Sequence, residues 1–351
     1  MIIAIANYVG KNGGVSKITP SNTIAPVVSG TNTVGSVLTT TNGTWNGSLP
    51  ITYTYQWLRN GLNISGATSS TYTLVTADSS NVVSCKVTAT NSVGSANATS
   101  NSLTIYESEY KAILNKAILE SFTLPSDAEK IKQNNLMISL KSSGAWAKAD
   151  HILVLATNSN QNFARIDWRN PTHLAALVNA PTFVPKKGFQ GGGTSYIDTN
   201  YNPFTEGDKY TQNNASRYVF MDTASGTGVL DGCGTTDRNL MFRNLISNQR
   251  INSNVALTGG AVSFTATRGM KSIHRTSSTN VELFNDNTAS TPQRTANSST
   301  MVNSNQFILR SGPDGAPLYG AHTISFYMMG ASMISENSSI ITAVNTYLNS
   351  L

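Results

Sequence analysis

The sequence is poor in cysteine, and this excludes a scaffold held together by disulfide bonds. Its 351 residues contain two cysteines, Cys85 and Cys233, which fall in different predicted domains. Small secreted domains that depend on disulfides carry more cysteines in a short chain. The spacing also matches no structural zinc site. We therefore expect no disulfide bond and no metal site, as in a protein that folds in a reducing cytoplasm.

Charged residues are also scarce, at 12% of the chain, with a net charge of +6. The lysines and arginines are scattered, whereas a nucleic-acid binder concentrates them in one patch. A dilute basic balance is typical of a solvated surface. The sequence therefore predicts no nucleic-acid partner.

Long hydrophobic runs are missing. The apolar segment Met1–Gly10 is too short to cross a bilayer, and no Lys or Arg precedes it as in a signal peptide. We expect no membrane partner and synthesis in the cytoplasm. The segment is better interpreted as a short strand that needs another strand to cover it.

Paired catalytic groups are not evident in the sequence. The four histidines share no ligand spacing and have no obvious Ser, Asp or Cys partner. A glycosidase built on a β-sandwich places two carboxylates on one strand, two or four residues apart. The acids in the second half of the chain are instead isolated: Asp167, Asp198, Asp222, Asp231 and Glu282. The expectation is therefore no enzyme and no cofactor.

Some oxygen-rich and glycine-rich segments are weak candidates for ligand sites. Gly191–Gly193 lacks the Lys-Ser/Thr that follows a phosphate-binding loop, so a tight β turn is expected. Asp231-Gly232 and Asn285–Asn287 could supply oxygens to calcium, but neither forms a loop with several ligands. Plain turns are expected there, and calcium binding stays open.

The residues that are present indicate a mainly β protein with a packed core, since 39% of the chain is hydrophobic. Residues 1–24 are interpreted as an N-terminal docking strand and flexible leader, and residues 25–106 as short alternating strands with the spacing of a sandwich. Residues 107–148 show helical periodicity, and 149–351 return to strands. The helical segment is either a spacer between two domains or part of the second domain's core.

Local signals support these assignments. Ile51–Leu58 alternates, with Tyr53, Tyr55 and Trp57 on one face, and Asn60-Gly61 predicts a turn. Ser126–Glu129 has the form of a capping box, in which each side chain bonds the other residue's backbone N–H. Val281–Phe284 predicts one arm of a hairpin, and Ser335–Leu351 an amphipathic terminal helix.

The first strand region resembles the bacterial-type immunoglobulin-like domains of phage virions and bacterial surface proteins. The resemblance rests on Asn42–Trp45, Tyr53–Gly61, Ile64–Thr68, Ser70–Leu74 and Cys85–Asn91. It implies that Trp57 is the buried tryptophan of strand C and that Cys85 lies on strand F. Thr40 stands where the partner cysteine would be, and Val83 replaces the corner tyrosine, so stability must come from packing around Trp57.

The second region resembles phage proteins with a concanavalin-like (laminin-G-like) jelly roll. The motifs are Ile166–Pro171, Gly188–Thr199, Asn213–Ser216 and Phe326–Ala331. The order of immunoglobulin-like module, helical spacer, jelly roll and C-terminal helix recurs in that family. The resemblance implies a component of the virion surface, such as a head fibre, a capsid decoration or a tail receptor-binding protein.

Glycan binding needs an aromatic platform beside hydrogen-bonding amides or carboxylates. The candidates are Trp168 with Asp167 and Asn170, and Tyr196 and Tyr201 with Asp198 and Asn200. A role in the core is the alternative for all three aromatic residues.

The leading hypothesis is a structural phage protein that displays a lectin-like domain for adhesion to a host glycan. The N-terminal strand would dock on capsid or tail proteins by adding to their sheet, through Ile2, Ile3, Ile5, Tyr8 and Val9. A homotrimer is expected because fibres gain avidity from several weak sites. The alternatives are a tail fibre receptor-binding protein and a stand-alone protein that binds or cleaves carbohydrate.

Overall fold

The computed structural model describes residues 16–223, 228–233, 239–243, 251, 267–289, 294–301, 303–310 and 319–351. The chain divides into two compact units, residues 1–106 and 107–351. The predicted docking residues at positions 2 to 9 lie outside the described residues. None of the described helices is both long enough and apolar enough to span a lipid bilayer.

The first unit is an immunoglobulin-like sandwich. Its strands are β1 (Ser21–Ile24), β2 (Val28–Ser29), β3 (Val37–Thr40), β4 (Thr44–Asn46), β5 (Thr52–Arg59), β6 (Leu62–Asn63), β7 (Thr71–Thr73), β8 (Val82–Thr90), β9 (Ser95–Thr99) and β10 (Leu103–Thr104). One sheet runs β6-β5-β8, with β9 and β10 both paired to β8, and the other runs β2-β3-β7. All of these pairs are antiparallel.

Trp57 and Cys85 are opposite each other on β5 and β8, and both are fully buried. The indole N–H of Trp57 donates to the Ser69 carbonyl, 2.9 Å away, and Tyr72 stacks on the indole with ring centroids 5.5 Å apart. Cys85 is a free thiol. Trp57 and Cys85 belong to one core cluster with Leu38, Leu74 and Val87, so the core of this unit is filled by packing around the indole.

The predicted leader is partly wrong, because residues 16–24 belong to the first unit. β1 pairs with β4, and the backbone N–H of Ile18 donates to the hydroxyl of Ser48, 2.9 Å away. Asn91 fixes the same segment by donating to the carbonyl of Ile18. Satisfied backbone groups hold this segment against the sandwich, so it is not a free linker.

The second unit is a jelly-roll sandwich with helices. The helices are α1 (Ser108–Leu119), α2 (Asp127–Ser142), α3 (Ala145–Lys148), α4 (Gln161–Ala164), α5 (Pro203–Glu206) and α6 (Asn337–Ser350). The strands are β11 (Ala149–Val154), β12 (Ala176–Val178), β13 (Thr182–Val184), β14 (Gly188–Gln190), β15 (Tyr196–Asp198), β16 (Ala215–Thr223), β17 (Gly228–Cys233), β18 (Asn239–Arg243), β19 (Gly269–Arg275), β20 (Asn280–Asn285), β21 (Thr288–Ala289), β22 (Arg294–Thr295), β23 (Gln306–Ile308) and β24 (Thr323–Gly330).

Two antiparallel sheets enclose the core of this unit. The larger sheet has the order β13-β14-β24-β16-β19-β20-β21, with β11 on β24 and β22 on β20, and the smaller has the order β12-β15-β23-β17-β18. Val219 and Ile273 from the larger sheet pack in one cluster with Ile197 and Ile308 from the smaller. The predicted fold class is confirmed: a mainly β chain of two sandwiches with a C-terminal helix.

The helical segment belongs to the core of the second unit and does not form a separate spacer. Tyr110 of α1 is fully buried, donates to Gln133 of α2 at 2.8 Å, and packs against Trp168 with ring centroids 5.8 Å apart. Helix α6 covers α2 along the apolar face that the sequence predicts, with Ile340 and Tyr347 buried. Burial of these side chains ties the helices to the sandwich.

Only one of the two hydrogen bonds of the predicted capping box at Ser126 forms. The Ser126 hydroxyl accepts the backbone N–H of Glu129 at 3.3 Å, as expected. The Glu129 carboxylate does not return the bond. It accepts instead from Gln133 at 2.8 Å, the Tyr347 hydroxyl at 3.0 Å and the backbone N–H of Asn158 at 2.7 Å. Glu129 is 1% exposed, and these bonds offset the cost of burying its charge.

The turn predictions agree with the structure at two places and fail at a third. Gly193 has a positive φ in the turn after β14, and Asp286 lies in the tight turn between β20 and β21. Asp231 is not a turn residue: it is buried on β17 and paired with the guanidinium of Arg217 at 2.8 Å. Among the described residues, no group of three or more His, Cys, Asp and Glu side chains can hold a metal ion.

The buried tyrosines of the second unit predict a loss of stability at alkaline pH. Burial raises the pKa of the Tyr218, Tyr327 and Tyr347 hydroxyls well above 10, whereas tyrosine in an unfolded chain ionises near 10. Their contribution to stability is complete below about pH 10 and is lost as the pH rises above it. We expect the free energy of unfolding in urea to fall as the pH rises above about 10, and to fall less steeply in Tyr347→Phe. Equal slopes in the two proteins would contradict this prediction.

Candidate functional site

An open pocket of about 350 Å³ lies in the second unit at the end of β11 and beside α5. We call it the acid pocket, because four of its side chains are carboxylates. It is lined by Asp150, Asp167, Arg169, Asn170, His173, Tyr201, Glu206 and Asp208. Three of the predicted glycan-binding residues are therefore brought together here: Asp167, Asn170 and Tyr201.

Asp167 organises the floor of the acid pocket. Its Oδ1 accepts the backbone N–H groups of Ile152 at 3.1 Å and Arg169 at 2.9 Å, and its Oδ2 lies 2.9 Å from His151 Nδ1. Asp167 is 1% exposed and His151 is fully buried. The carboxylate thus joins the segment after α4 to β11, and it has bonds to three groups that need an acceptor or a counter-charge.

Tyr201 lies above His151, with the two rings parallel and their centroids 5.0 Å apart. Tyr201 is 3% exposed, and its hydroxyl lies within hydrogen-bonding reach of the Asp150 carboxylate. His151 Nε2 has no hydrogen-bond partner among the described residues. Burial raises the pKa of Tyr201, and the negative charge of Asp150 raises it further. The phenol therefore stays neutral and can both donate and accept.

Asp150 and α5 form the wall of the acid pocket. The Asp150 carboxylate accepts the backbone N–H of Lys209 at 2.9 Å and that of Tyr210 at 2.6 Å. Asn202 caps α5 by accepting from Phe204. Glu206, the last residue of α5, accepts from the backbone of Asn202 at 3.1 Å through one oxygen.

The remaining charges of the pocket are mostly engaged elsewhere. The other oxygen of Glu206 is 3.5 Å from His173 Nδ1, and Asp208 pairs with Lys209. Arg169 donates to the carbonyl of Ala149 at 3.0 Å and stacks over Trp146, 4.8 Å from its ring centroid. The four carboxylates outnumber the single guanidinium, so the pocket is negative within a chain of net positive charge.

Trp168 is not a glycan platform, contrary to the sequence-based interpretation. It is 1% exposed and packs on Tyr110, so its ring cannot meet a ligand. Tyr201 is also no open platform, because its ring face is stacked on His151. These two side chains are part of the core, although Tyr201 also lines the pocket.

Tyr196 and Asp198 lie apart from the acid pocket lining, on the face of β15 opposite the core residue Ile197. The Tyr196 ring is edge-on to Phe307 at 5.5 Å, and the guanidinium of Arg310 covers it at 4.5 Å. Asp198 accepts from the side chain of Asn305 at 3.0 Å. Tyr196 is therefore part of an aromatic and guanidinium cluster and is not among the residues that line the acid pocket.

Five residues of the acid pocket were not predicted from the sequence: Asp150, Arg169, His173, Glu206 and Asp208. The one local signal was the pair of acids Glu206 and Asp208, two residues apart after a proline. The partners of the histidines were not predicted either. His151 pairs with Asp167, and His274 lies between Ser216 at 2.7 Å and Ser272 at 2.9 Å.

The His274 cluster is structural. Burial lowers the pKa of His274 to about 3, so the ring is neutral at ordinary pH. All three side chains are fully buried, and Ser272 donates onward to Asn337 of α6 at 3.2 Å. The cluster therefore joins β16, β19 and α6, and a substrate cannot reach it.

The sequence matches no protein-family model and no curated protein. Among solved structures, the chain is similar to a mutant of Trypanosoma rangeli sialidase with trans-sialidase activity (12% identity, TM-score 0.40, 76% of this chain and 43% of the sialidase). It is also similar to domain 4 of an extracellular GH43 arabinanase from Geobacillus stearothermophilus, in complex with arabinotriose (14% identity, TM-score 0.30, 55% of this chain and 98% of the domain). A third similar structure is the binding domain of botulinum neurotoxin serotype D (8% identity, TM-score 0.36, 56% of this chain and 51% of the neurotoxin chain).

The prediction that the chain is not an enzyme is contradicted by this comparison, since the similar structures include sialidases. That prediction assumed that the acids, which are isolated along the sequence, also stay apart in the fold. The assumption fails, because four carboxylates line one pocket. The chain spans less than half of the sialidase length, and a likeness at these identities assigns no activity to this chain. No family is shown by these matches.

The network around Asp167 predicts that this carboxylate stabilises the second unit. Asp167→Asn replaces one acceptor oxygen by an amide that cannot accept, so it should lower the free energy of unfolding by about 1–3 kcal/mol. Asp208→Asn makes the same chemical change on an exposed side chain of the same pocket, where we expect a change within about 0.5 kcal/mol. Denaturant unfolding, with hydrogen exchange of β11 to identify the transition, measures both. An equal loss of unfolding free energy in the two variants would contradict the stabilising role assigned to Asp167.

Proposed function

We propose that the second unit binds a glycan in the acid pocket. The observation that carries the proposal is a cavity of about 350 Å³ on which carboxylate, amide, guanidinium and phenol groups converge. This volume is within the range of small-ligand sites. Sugar hydroxyls can donate to the carboxylates and can accept from the amide of Asn170.

The acid pocket is a better candidate than the Tyr196 cluster. Arg310 already covers the Tyr196 ring, and Phe307 contacts its edge. The acid pocket has both a cavity and hydrogen-bonding groups from separate segments, β11, the segment after α4 and α5. Such convergence is what a specific polar ligand requires.

Glycan binding should depend on the wall of the acid pocket. Glu206→Gln is expected to weaken binding about tenfold because it replaces a charged acceptor by a neutral amide, and Asn170→Ala because it removes the amide altogether. A glycan array identifies the ligand, and calorimetric titration with the full chain measures the affinities. Cleavage is tested on the same glycans with a reducing-sugar assay.

Two further variants serve as controls for this prediction. Glu120→Gln changes an exposed acid at the end of α1, outside the pocket, and should bind like the unaltered protein. Tyr196→Ala tests the second cluster. If Tyr196→Ala abolished binding while Glu206→Gln and Asn170→Ala did not, the site would be on β15 and the assignment to the acid pocket would be wrong.

The finer form of the proposal is that the glycan-binding unit is carried on the surface of a phage particle. This rests on the resemblance of the motifs to phage proteins and on the order of the modules, an immunoglobulin-like sandwich before a jelly roll with a C-terminal helix. The partners would be capsid or tail proteins, reached through the apolar segment at residues 1–10, and the chain would act as a homotrimer after synthesis in the host cytoplasm.

Deletion of residues 1–10 should abolish incorporation into particles, because it removes the apolar strand that would add to a sheet of a capsid or tail protein. Incorporation is measured by quantitative blotting of purified particles from cells infected with the phage that carries the gene. The control is Ile2→Leu with Val9→Ile, which keeps the segment apolar and should incorporate normally. Normal incorporation of the deleted chain would disprove docking by this segment.

A further inference from the structure

The sequence contains four Asn-Gly pairs: Asn12-Gly13, Asn42-Gly43, Asn46-Gly47 and Asn60-Gly61. The first lies outside the described residues, and the other three belong to the first unit. In such a pair the backbone nitrogen of the glycine can attack the asparagine amide, because glycine has no side chain to hinder the approach. The asparagine side chain must also be able to turn towards that nitrogen. Hydrogen bonds of the side chain therefore determine which of these pairs reacts.

Asn42 is held by a bond to its side chain and by the packing of the next residue. Its Oδ1 accepts the hydroxyl of Tyr55 at 2.6 Å, and its backbone carbonyl accepts the indole N–H of Trp45 at 2.7 Å. Gly43 lies so close to β1 that a Cβ atom on it would be 2.4 Å from the carbonyl oxygen of Ile24. The Asn42 side chain cannot turn towards the Gly43 nitrogen without losing its bond to Tyr55.

Asn60 is held by two bonds of its side chain. Its Oδ1 accepts the backbone N–H of Val82 at 3.0 Å, and its Nδ2 donates to Oδ1 of Asn81 at 2.7 Å. These bonds tie the turn between β5 and β6 to the beginning of β8. Asn60 is exposed to solvent, so exposure alone does not make its amide reactive, because the two bonds must break first.

Asn46 is also followed by glycine but has none of these restraints. It is exposed at the end of β4, opposite Ser21 on β1. Its side-chain amide has no hydrogen-bond partner among the described residues. Within the described strands β4 pairs with β1 alone, so its other edge is open. The amide can therefore take the orientation that brings its Cγ to the Gly47 nitrogen.

We propose that Asn46 is a site of spontaneous modification, at which asparagine is converted to isoaspartate or aspartate. The Gly47 backbone nitrogen bonds to Cγ of Asn46, the Cγ–Nδ2 bond breaks, and ammonia leaves with the proton of the backbone N–H. The cyclic imide that forms takes up water at either of its two carbonyl carbons. Opening at one carbon gives aspartate, and opening at the other gives isoaspartate, in which the side-chain methylene has become part of the main chain.

The modification changes the first unit at the β1–β4 pair. Both products place a carboxylate where a neutral amide was, and isoaspartate also lengthens the backbone. Gly47 is packed against Pro20, since a Cβ atom on Gly47 would be 3.1 Å from the Pro20 Cα. A longer backbone at position 46 therefore disturbs the pairing of Asn46 with Ser21. The inference concerns the first unit and is independent of glycan binding in the second.

The test is peptide mapping of the full chain by mass spectrometry during incubation at mildly alkaline pH. We expect deamidation at Asn46 to be at least about tenfold faster than at Asn42 or Asn60, since one or two hydrogen bonds change a rate by roughly that factor. An isoaspartyl methyltransferase identifies the isoaspartate product at position 46. Amide hydrogen exchange of β1 should increase as that product accumulates.

The same chain in concentrated urea is the control, because the three pairs share their local chemistry once the fold is lost. There the three rates should become similar. Asn46→Gln, whose longer side chain disfavours ring closure, should stop the reaction at position 46 and leave the rates at Asn42 and Asn60 unchanged.

Similar rates at the three sites in the folded chain would overturn the proposal. A faster reaction at Asn46 that persists in urea would overturn it as well, because the neighbouring sequence and not the structure would then be the cause.

Discussion

The carboxylate of Asp167 is the constraint on which the second unit's pocket depends. It accepts the backbone N–H groups of Ile152 on β11 and of Arg169 in the segment after α4, and it bonds the ring of His151. His151 in turn supports Tyr201 from below. Because one buried acid fixes both the floor and the segment that carries Asn170, the geometry of the pocket is set by backbone contacts and does not rely on long, mobile side chains.

A second buried carboxylate, that of Glu129, holds the helices of the same unit together. Glu129 receives bonds from α2, from α6 and from the segment after β11, although it has no cationic partner among those groups. The hydroxyl of Tyr347 also donates to the Ala156 carbonyl. One buried carboxylate and one phenol therefore connect the beginning of the unit to its C-terminal helix, across 218 positions of sequence.

Features with a regular period could be predicted from the sequence, and features that depend on distant partners could not. The alternation at residues 51–58 and the helical spacing at the C-terminus each reflect one buried face, so strand β5 and helix α6 follow from local pattern. Glu129 obeys the capping rule only in part, because bonds to Tyr347 and Asn158 replace the local one. Trp168 packs on Tyr110, and Asp150 and Glu206 line one pocket only because the fold brings β11 and α5 together.

The free thiol of Cys85 has a consequence for where the first unit can fold. Its core is closed by the indole of Trp57 and the surrounding aliphatic side chains, with the sulfur shielded from solvent. No oxidation step is needed to complete this core, and none can easily reach it. The first unit can therefore fold under reducing conditions and stay folded under oxidising ones, without the help of an oxidase or a disulfide isomerase.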